Sequence, residues 1–144
     1  MTFGKTSPRG WVAFALSVAF LGLLGAGSGC GGSTDPRPAT WSYVSTAILE
    51  PSCATANCHS AIAVRAGVNL STRADGYRSL VEGTFVISKA AVGTAMTDDE
   101  RVERSSVPKL MRAVGNLRMP PDLPLPEPDI ALFESWIRKG AAND

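Results

Sequence analysis

Apolar residues recur at helical spacing in four stretches of the chain. In "TWSYVSTAILE", Tyr43, Ala47 and Ile48 fall on one face, and Thr40 is placed to cap the first turn. "STRADGYRSLVEG" offers Ser71 or Thr72 as a cap, Tyr77, Leu80 and Val81 as an apolar side, and Gly83 as a stop. "SSVPKLMRAVG" has serine caps, a first-turn proline whose missing N–H leaves no bond unmade, and Gly115 at its end. The strongest pattern is "EPDIALFESWIRKG". Ile130, Phe133 and Ile137 repeat along it with Leu132 and Trp136 alongside; acidic residues and Pro128 open it, Arg138 and Lys139 close it, and Gly140 stops it.

Between these stretches, the 25 residues from Gly83 to Val107 carry no sustained pattern. Only "TFVIS", Thr84 to Ser88, alternates like a strand, and alone it would make a hairpin edge at most. There is no internal repeat. The pattern predicts a small all-α domain over residues 40–144 with a long irregular middle. A domain of this size buries only about two-thirds of its unfolded surface. A prosthetic group filling the middle would make up the shortfall that the interrupted pattern leaves.

Residues 1–30 follow a different rule. Lys5 and Arg9 give a positive start, 17 uncharged residues run from Trp11 to Gly27, and "GSGC" follows, which is how a secretory signal is built. With Cys30 at the boundary, the segment resembles a bacterial lipoprotein signal, in which that cysteine is lipidated and becomes the mature N-terminus. It departs from that pattern at Gly27, where the family usually has Leu. An uncleaved anchor is the other reading, since a run of 17 is near the lower limit for spanning a bilayer. Either way the remainder is exported. Residues 31–39, rich in Gly, Pro and Ser, suit a flexible tether. Beyond Cys30 the chain has 12 Lys and Arg against 13 Asp and Glu, which gives no reason to propose nucleic acid or a polybasic membrane patch.

The chemistry is concentrated in "PSCATANCHS", which holds two of the three cysteines and the single histidine. Zinc needs three or four protein ligands, and no second histidine or suitably spaced carboxylate completes a set with Cys53, Cys58 and His59. Cysteine-protease chemistry needs a nucleophile and a separate imidazole, whereas adjacent residues such as Cys58 and His59 point apart. A Cys53–Cys58 disulfide suits an oxidising compartment, and lipidation of Cys30 would leave an even number of cysteines. It leaves His59 unexplained. Covalent c-type haem attachment accounts for all three residues: two cysteines bond the porphyrin edge and the following histidine ligates iron. The spacer "ATAN" has four residues where two are usual.

Taken with "ILEPSCATANCHS", "GVNLSTRADGYRSLV", "RMPPD" and "PDIALFESWIRKGA" in that order, the chain resembles the small planctomycete-type cytochrome c-like domains of exported bacterial proteins. Some of those have the same longer cysteine spacing. The resemblance covers nearly all of residues 44–141. It implies a cytochrome c-like helical fold and one haem c, attached through Cys53 and Cys58, with His59 as proximal ligand. Met119, from the loop before the last helix, would be the distal ligand. The residues favour the same methionine: Pro120 pushes Met119 toward an extended backbone and Pro121 stiffens the next step. Met111 sits beside Leu110 and Val114, where packing is the common role, and Met96 lies in the polar loop "GTAMTDDE". Met111 or an open iron site remain the alternatives, and an open site would suit gas sensing or peroxide chemistry.

One histidine allows one haem and no bis-histidine ligation, and His/Met ligation raises the reduction potential. The function expected is single-electron transfer between redox protein partners, without substrate chemistry. The place expected is the periplasmic side of the cell envelope. Gly31 after the lipidated cysteine resembles lipoproteins sorted to the outer membrane. The alternative is a haem-free structural or binding lipoprotein with a Cys53–Cys58 disulfide. Trp136 could donate to a haem propionate, though core packing is the commoner role. Arg118 could do the same, against a solvated surface arginine. Asp98, Asp99 and Glu100 read as a solvated loop that could dock a basic redox partner.

Overall fold

Thr40 caps the first helix from an extended backbone, its hydroxyl accepting the Tyr43 N–H at 3.4 Å. In the computed structural model, which describes residues 35–144, helix α1 (Trp41–Val44) passes through a wider π turn (Ser45–Leu49) into α2 (Glu50–Cys53). The expected lipoprotein signal with Cys30, and the start of the tether, lie outside the described residues. The helical run goes past the expected end at Glu50 to Cys53. Pro51 comes just after the π turn, and the run continues through it: the Glu50 N–H donates to the Ser45 carbonyl and the Ala54 N–H to the Glu50 carbonyl.

The second stretch forms α3 (Arg73–Tyr77) and a π turn (Arg78–Glu82) closed by Gly83. Of the two cap candidates Thr72 serves, accepting the Asp75 N–H at 3.1 Å. Gly76 is where α3 meets α1: a Cβ there would lie 3.2 Å from the Trp41 ring, tighter than ordinary contact.

The middle of the chain departs from expectation. It holds α4 (Lys89–Val92) and α5 (Asp98–Arg104), and the described residues contain no strand. Helix α5 begins with a reciprocal cap: the Thr97 hydroxyl accepts the Glu100 N–H, and the Glu100 carboxylate accepts the Thr97 N–H. That cap also holds the Glu100 carboxyl below its ordinary range. Asp98, Asp99 and Glu100 are therefore the first turn of a helix and not a loop. Thr84–Ser88 is no hairpin edge either. The Ile87 N–H donates to the Ser105 hydroxyl, and the Phe85 carbonyl accepts from Ser106. These side-chain and loop partners take the place of a neighbouring strand.

Helix α6 (Ser106–Arg112) ends before the expected stop at Gly115, which instead opens a short 3-10 turn. The last helix, α7 (Glu127–Arg138), stands as the pattern predicts and makes the centre of the domain, against α1, α5 and α6. Trp41, Val44, Phe133, Trp136 and Ile137 are almost entirely out of solvent. The Trp41 and Trp136 rings lie 4.9 Å apart, with Phe133 at 5.5 Å from Trp136 and Tyr77 edge-on to Trp41 at 5.7 Å. Each polar tip of this cluster is satisfied: the indoles of Trp41 and Trp136 donate to the carbonyls of Arg73 and Ala142, and the Tyr77 hydroxyl to that of Ala141.

Buried Arg101 joins α5 to the end of α7, donating to the Arg138 carbonyl at 2.9 Å and pairing with Asp98. The described chain is already packed before residue 40. Ala39 is buried, and Arg37 bridges Asp35 and Asp129 of α7. No described helix is long and apolar enough to cross a membrane.

Candidate functional site

The four-residue spacer resolves into a turn. Cys53 ends α2, the Cys58 N–H donates to the Thr55 carbonyl at 2.9 Å, and the His59 N–H returns to the Cys53 carbonyl at 3.1 Å. "ATAN" thus loops out while Cys53 and His59 are held on one wall. The segment that follows is wired to the same turn. Arg65 donates its backbone N–H to the Cys58 carbonyl and its Nε to the Asn57 carbonyl, at 3.2 and 2.6 Å. The Leu70 N–H donates to the His59 carbonyl at 2.7 Å.

His59 Nδ1 lies 3.1 Å from the Arg65 carbonyl. A carbonyl only accepts, so Nδ1 carries the proton and Nε2 is the nitrogen left with a lone pair for a metal. A second-shell carbonyl of this kind fixes both tautomer and ring orientation. The turn that supplies it is strained, with Val64 at φ 42° and Ala66 at φ 54° in the left-handed region.

Cys53, His59 and Met119 line one cleft, together with Leu49, Val68, Leu70, Leu80, Phe85, Val107, Leu110 and Met111. Its atom-free space, mouth included, is about 650 Å³. A smaller adjoining cavity of about 250 Å³ brings Cys58 to the same place, with Met119, Pro120 and Pro121 across the chain from Ser52 and Cys53. Apart from Cys53 and the imidazole, the main cleft is walled by hydrocarbon and thioether. Both cysteines are free thiols. Burial, with the neighbouring Cys58 adding to it, pushes the Cys53 thiol up to about 11, so it is protonated at neutral pH. No group of three or more His, Cys, Asp or Glu side chains gathers as a metal site among the described residues.

Two methionines reach the cleft, and they differ. Met111 is 4 % exposed on α6, whereas Met119 is 40 % exposed on the loop before α7. Met96 is half-buried ahead of α5, its carbonyl accepting from Arg101, and does not line the cleft. The Met119 N–H donates to the Leu110 carbonyl at 2.9 Å, tying the loop back to α6. Arg118 is half-buried, with Nε and Nη2 donating to the carbonyls of Pro120 and Pro121 at 3.3 and 2.9 Å.

Other candidates lie elsewhere. Trp136 is a core residue whose indole N–H is already used by Ala142. In the acidic turn, Asp98 pairs with Arg101, Asp99 with Arg138 and Glu100 with the Thr97 N–H, so each carboxylate has a partner inside the domain. The sequence reading missed the Arg65 carbonyl and the Phe85 wall. The first depends on a left-handed turn that no residue type there announces, and the second on a segment patterned like a strand. No family model, curated protein or solved structure matches this chain.

Proposed function

We propose that this chain is a monohaem c-type cytochrome domain of cytochrome c-like fold that transfers single electrons between redox protein partners outside the cytoplasm. The observation that carries the reading is the meeting of Cys53, a singly hydrogen-bonded His59 imidazole and Met119 in one apolar cleft, with Cys58 alongside. Bound there, haem would supply reversible one-electron iron chemistry. The rest is work for the chain. Cys53 and Cys58 would hold the porphyrin covalently, each through a thioether made by adding its S–H across a vinyl group, an addition that needs no oxidant. His59 offers Nε2 while the Arg65 carbonyl holds its other proton and raises its basicity. Met119 offers a neutral thioether. Leu70, Leu80, Phe85 and Val107 line the cleft with hydrocarbon and would keep water from the group, which would favour its less charged state and so a higher potential.

The domain is proposed to be exported and anchored through a lipid on Cys30, most simply in the outer membrane. Changing Cys30→Ser should release it from membrane fractions; retention there overturns the lipid anchor.

Protein matured in its own host tests the haem. Its intact mass should be that of the mature chain plus one tetrapyrrole, and dithionite should give sharp visible bands that survive acid–acetone extraction. A mass equal to the peptide alone, or lighter by the two hydrogens of a disulfide, overturns the reading. In Met119→Ala the weak near-infrared Met–iron band should vanish and the midpoint potential should fall. An unchanged oxidised spectrum would move the ligand to Met111.

A further inference from the structure

The loop that carries Met119 is short of ways to be held. Prolines have no N–H, so in Met119-Pro120-Pro121 the Met119 amide is the sole backbone donor. That donor is spent on the Leu110 carbonyl at 2.9 Å, which fixes the loop where it enters the cleft. Beyond it the only backbone handles are carbonyl oxygens, and these need a donor from a side chain. Arg118 supplies it twice, with Nε to Pro120 and Nη2 to Pro121. Both prolines wall the cavity that also holds Cys53, Cys58 and His59. A guanidinium fits this task because its donors sit in a rigid planar fork, so two carbonyls are set at once with little further loss of freedom. A lysine in the same place has one ammonium on a flexible stem and satisfies one carbonyl at a time.

We propose that Arg118 is the positioning residue for Met119: it clamps the turn behind the thioether and so presets the sulfur for the iron. This rests on the reading of Met119 as the distal ligand. It differs from both roles expected of Arg118 from the sequence, a solvated surface charge and a propionate partner. The structure spends Nε and Nη2 on the loop itself.

Two measurements on the mature protein, compared with Arg118→Met and Arg118→Lys, test the clamp. The first is hydrogen exchange at the Met119 amide, read whether or not the purified protein carries haem. Exchange should rise about tenfold in Arg118→Met, the loss expected from two hydrogen bonds of ordinary worth. It should rise less in Arg118→Lys, while amides of α7 stay as they were. The second is displacement of the methionine by added imidazole, followed by loss of the near-infrared band. The imidazole concentration at half-displacement should fall about tenfold in Arg118→Met and by an intermediate factor in Arg118→Lys. A propionate partner would shift the potential with no change in Met119 exchange, and that pattern overturns the proposal. So does unchanged exchange in Arg118→Met, whatever haem does. Loosened exchange in a protein with no haem keeps the clamp and overturns the cytochrome reading instead, so the two failures are told apart.

Discussion

The half of the domain built on α1, α3 and α7 and the half that forms the cleft solve the same problem in opposite ways. In the first, four aromatic rings pack in a row, neighbouring centroids 4.9 to 5.7 Å apart, and every polar tip finds a carbonyl inside the domain. That half completes itself. In the second, apolar side chains face a cleft instead of each other, and the segments around it are irregular. Ile62, Val114, Leu117 and Leu123, all from those segments, are more than two-thirds exposed. The comparison teaches that one half is closed by its own side chains, whereas the other presents its apolar side chains to a cleft.

Breaking the self-complete half should have the largest effect. Trp136→Ala removes the central ring and should cost about 3–5 kcal/mol in urea unfolding, with or without haem. A cost below about 1 kcal/mol would mean that this half is no more self-sufficient than the other.

The haem-free chain, produced where attachment does not occur, sharpens the contrast through Cys53. Its folded thiol is pushed up to about 11 from an ordinary 9.0. Between those values the unfolded chain ionises while the folded chain stays protonated. Stability is therefore full below pH 9 and lost as pH rises toward 11, by up to about 2–3 kcal/mol. Urea midpoints across that range check the sign, with Cys53→Ser as the control that should flatten the slope. Alkylation of Cys53 should accelerate over the same range, and thioether attachment should abolish it. A haem-loaded protein that still alkylates at Cys53 would unseat that attachment point.

The smallest effect concerns a helix common to neither half. Thr97→Ala removes one arm of the cap on α5 and should cost about 1 kcal/mol, seen as a modest fall in urea midpoint. It should leave the visible spectrum unchanged.

Legibility in the sequence followed the same division. Helix α7 could be read residue by residue, because its periodic apolar face, its prolines and its glycine stop all agree with the packing. Thr40, Thr72 and Gly83 were readable for the same reason. Helix α5 was not foreseen, although "TDDE" spells a capping box. Its inward face is carried partly by Arg101, a charge that hydrophobic periodicity counts as surface. At the site, the cysteines, His59 and Met119 were legible as residue types, and the structure brings them to adjoining cavities. What holds them was not legible. The Arg65 carbonyl, the Leu110 carbonyl and the double donation from Arg118 are backbone relations, and sequence patterns describe side chains.

The bend at Val64 and Ala66 carries a consequence for anyone who would harden this protein. Both positions invite glycine on conformational grounds, which would relieve the strain of a left-handed backbone while giving the unfolded chain more freedom. Here the bend presents the oxygen that steadies the imidazole. A relaxed version would let the ring swivel, and the imidazole would lose its fixed orientation.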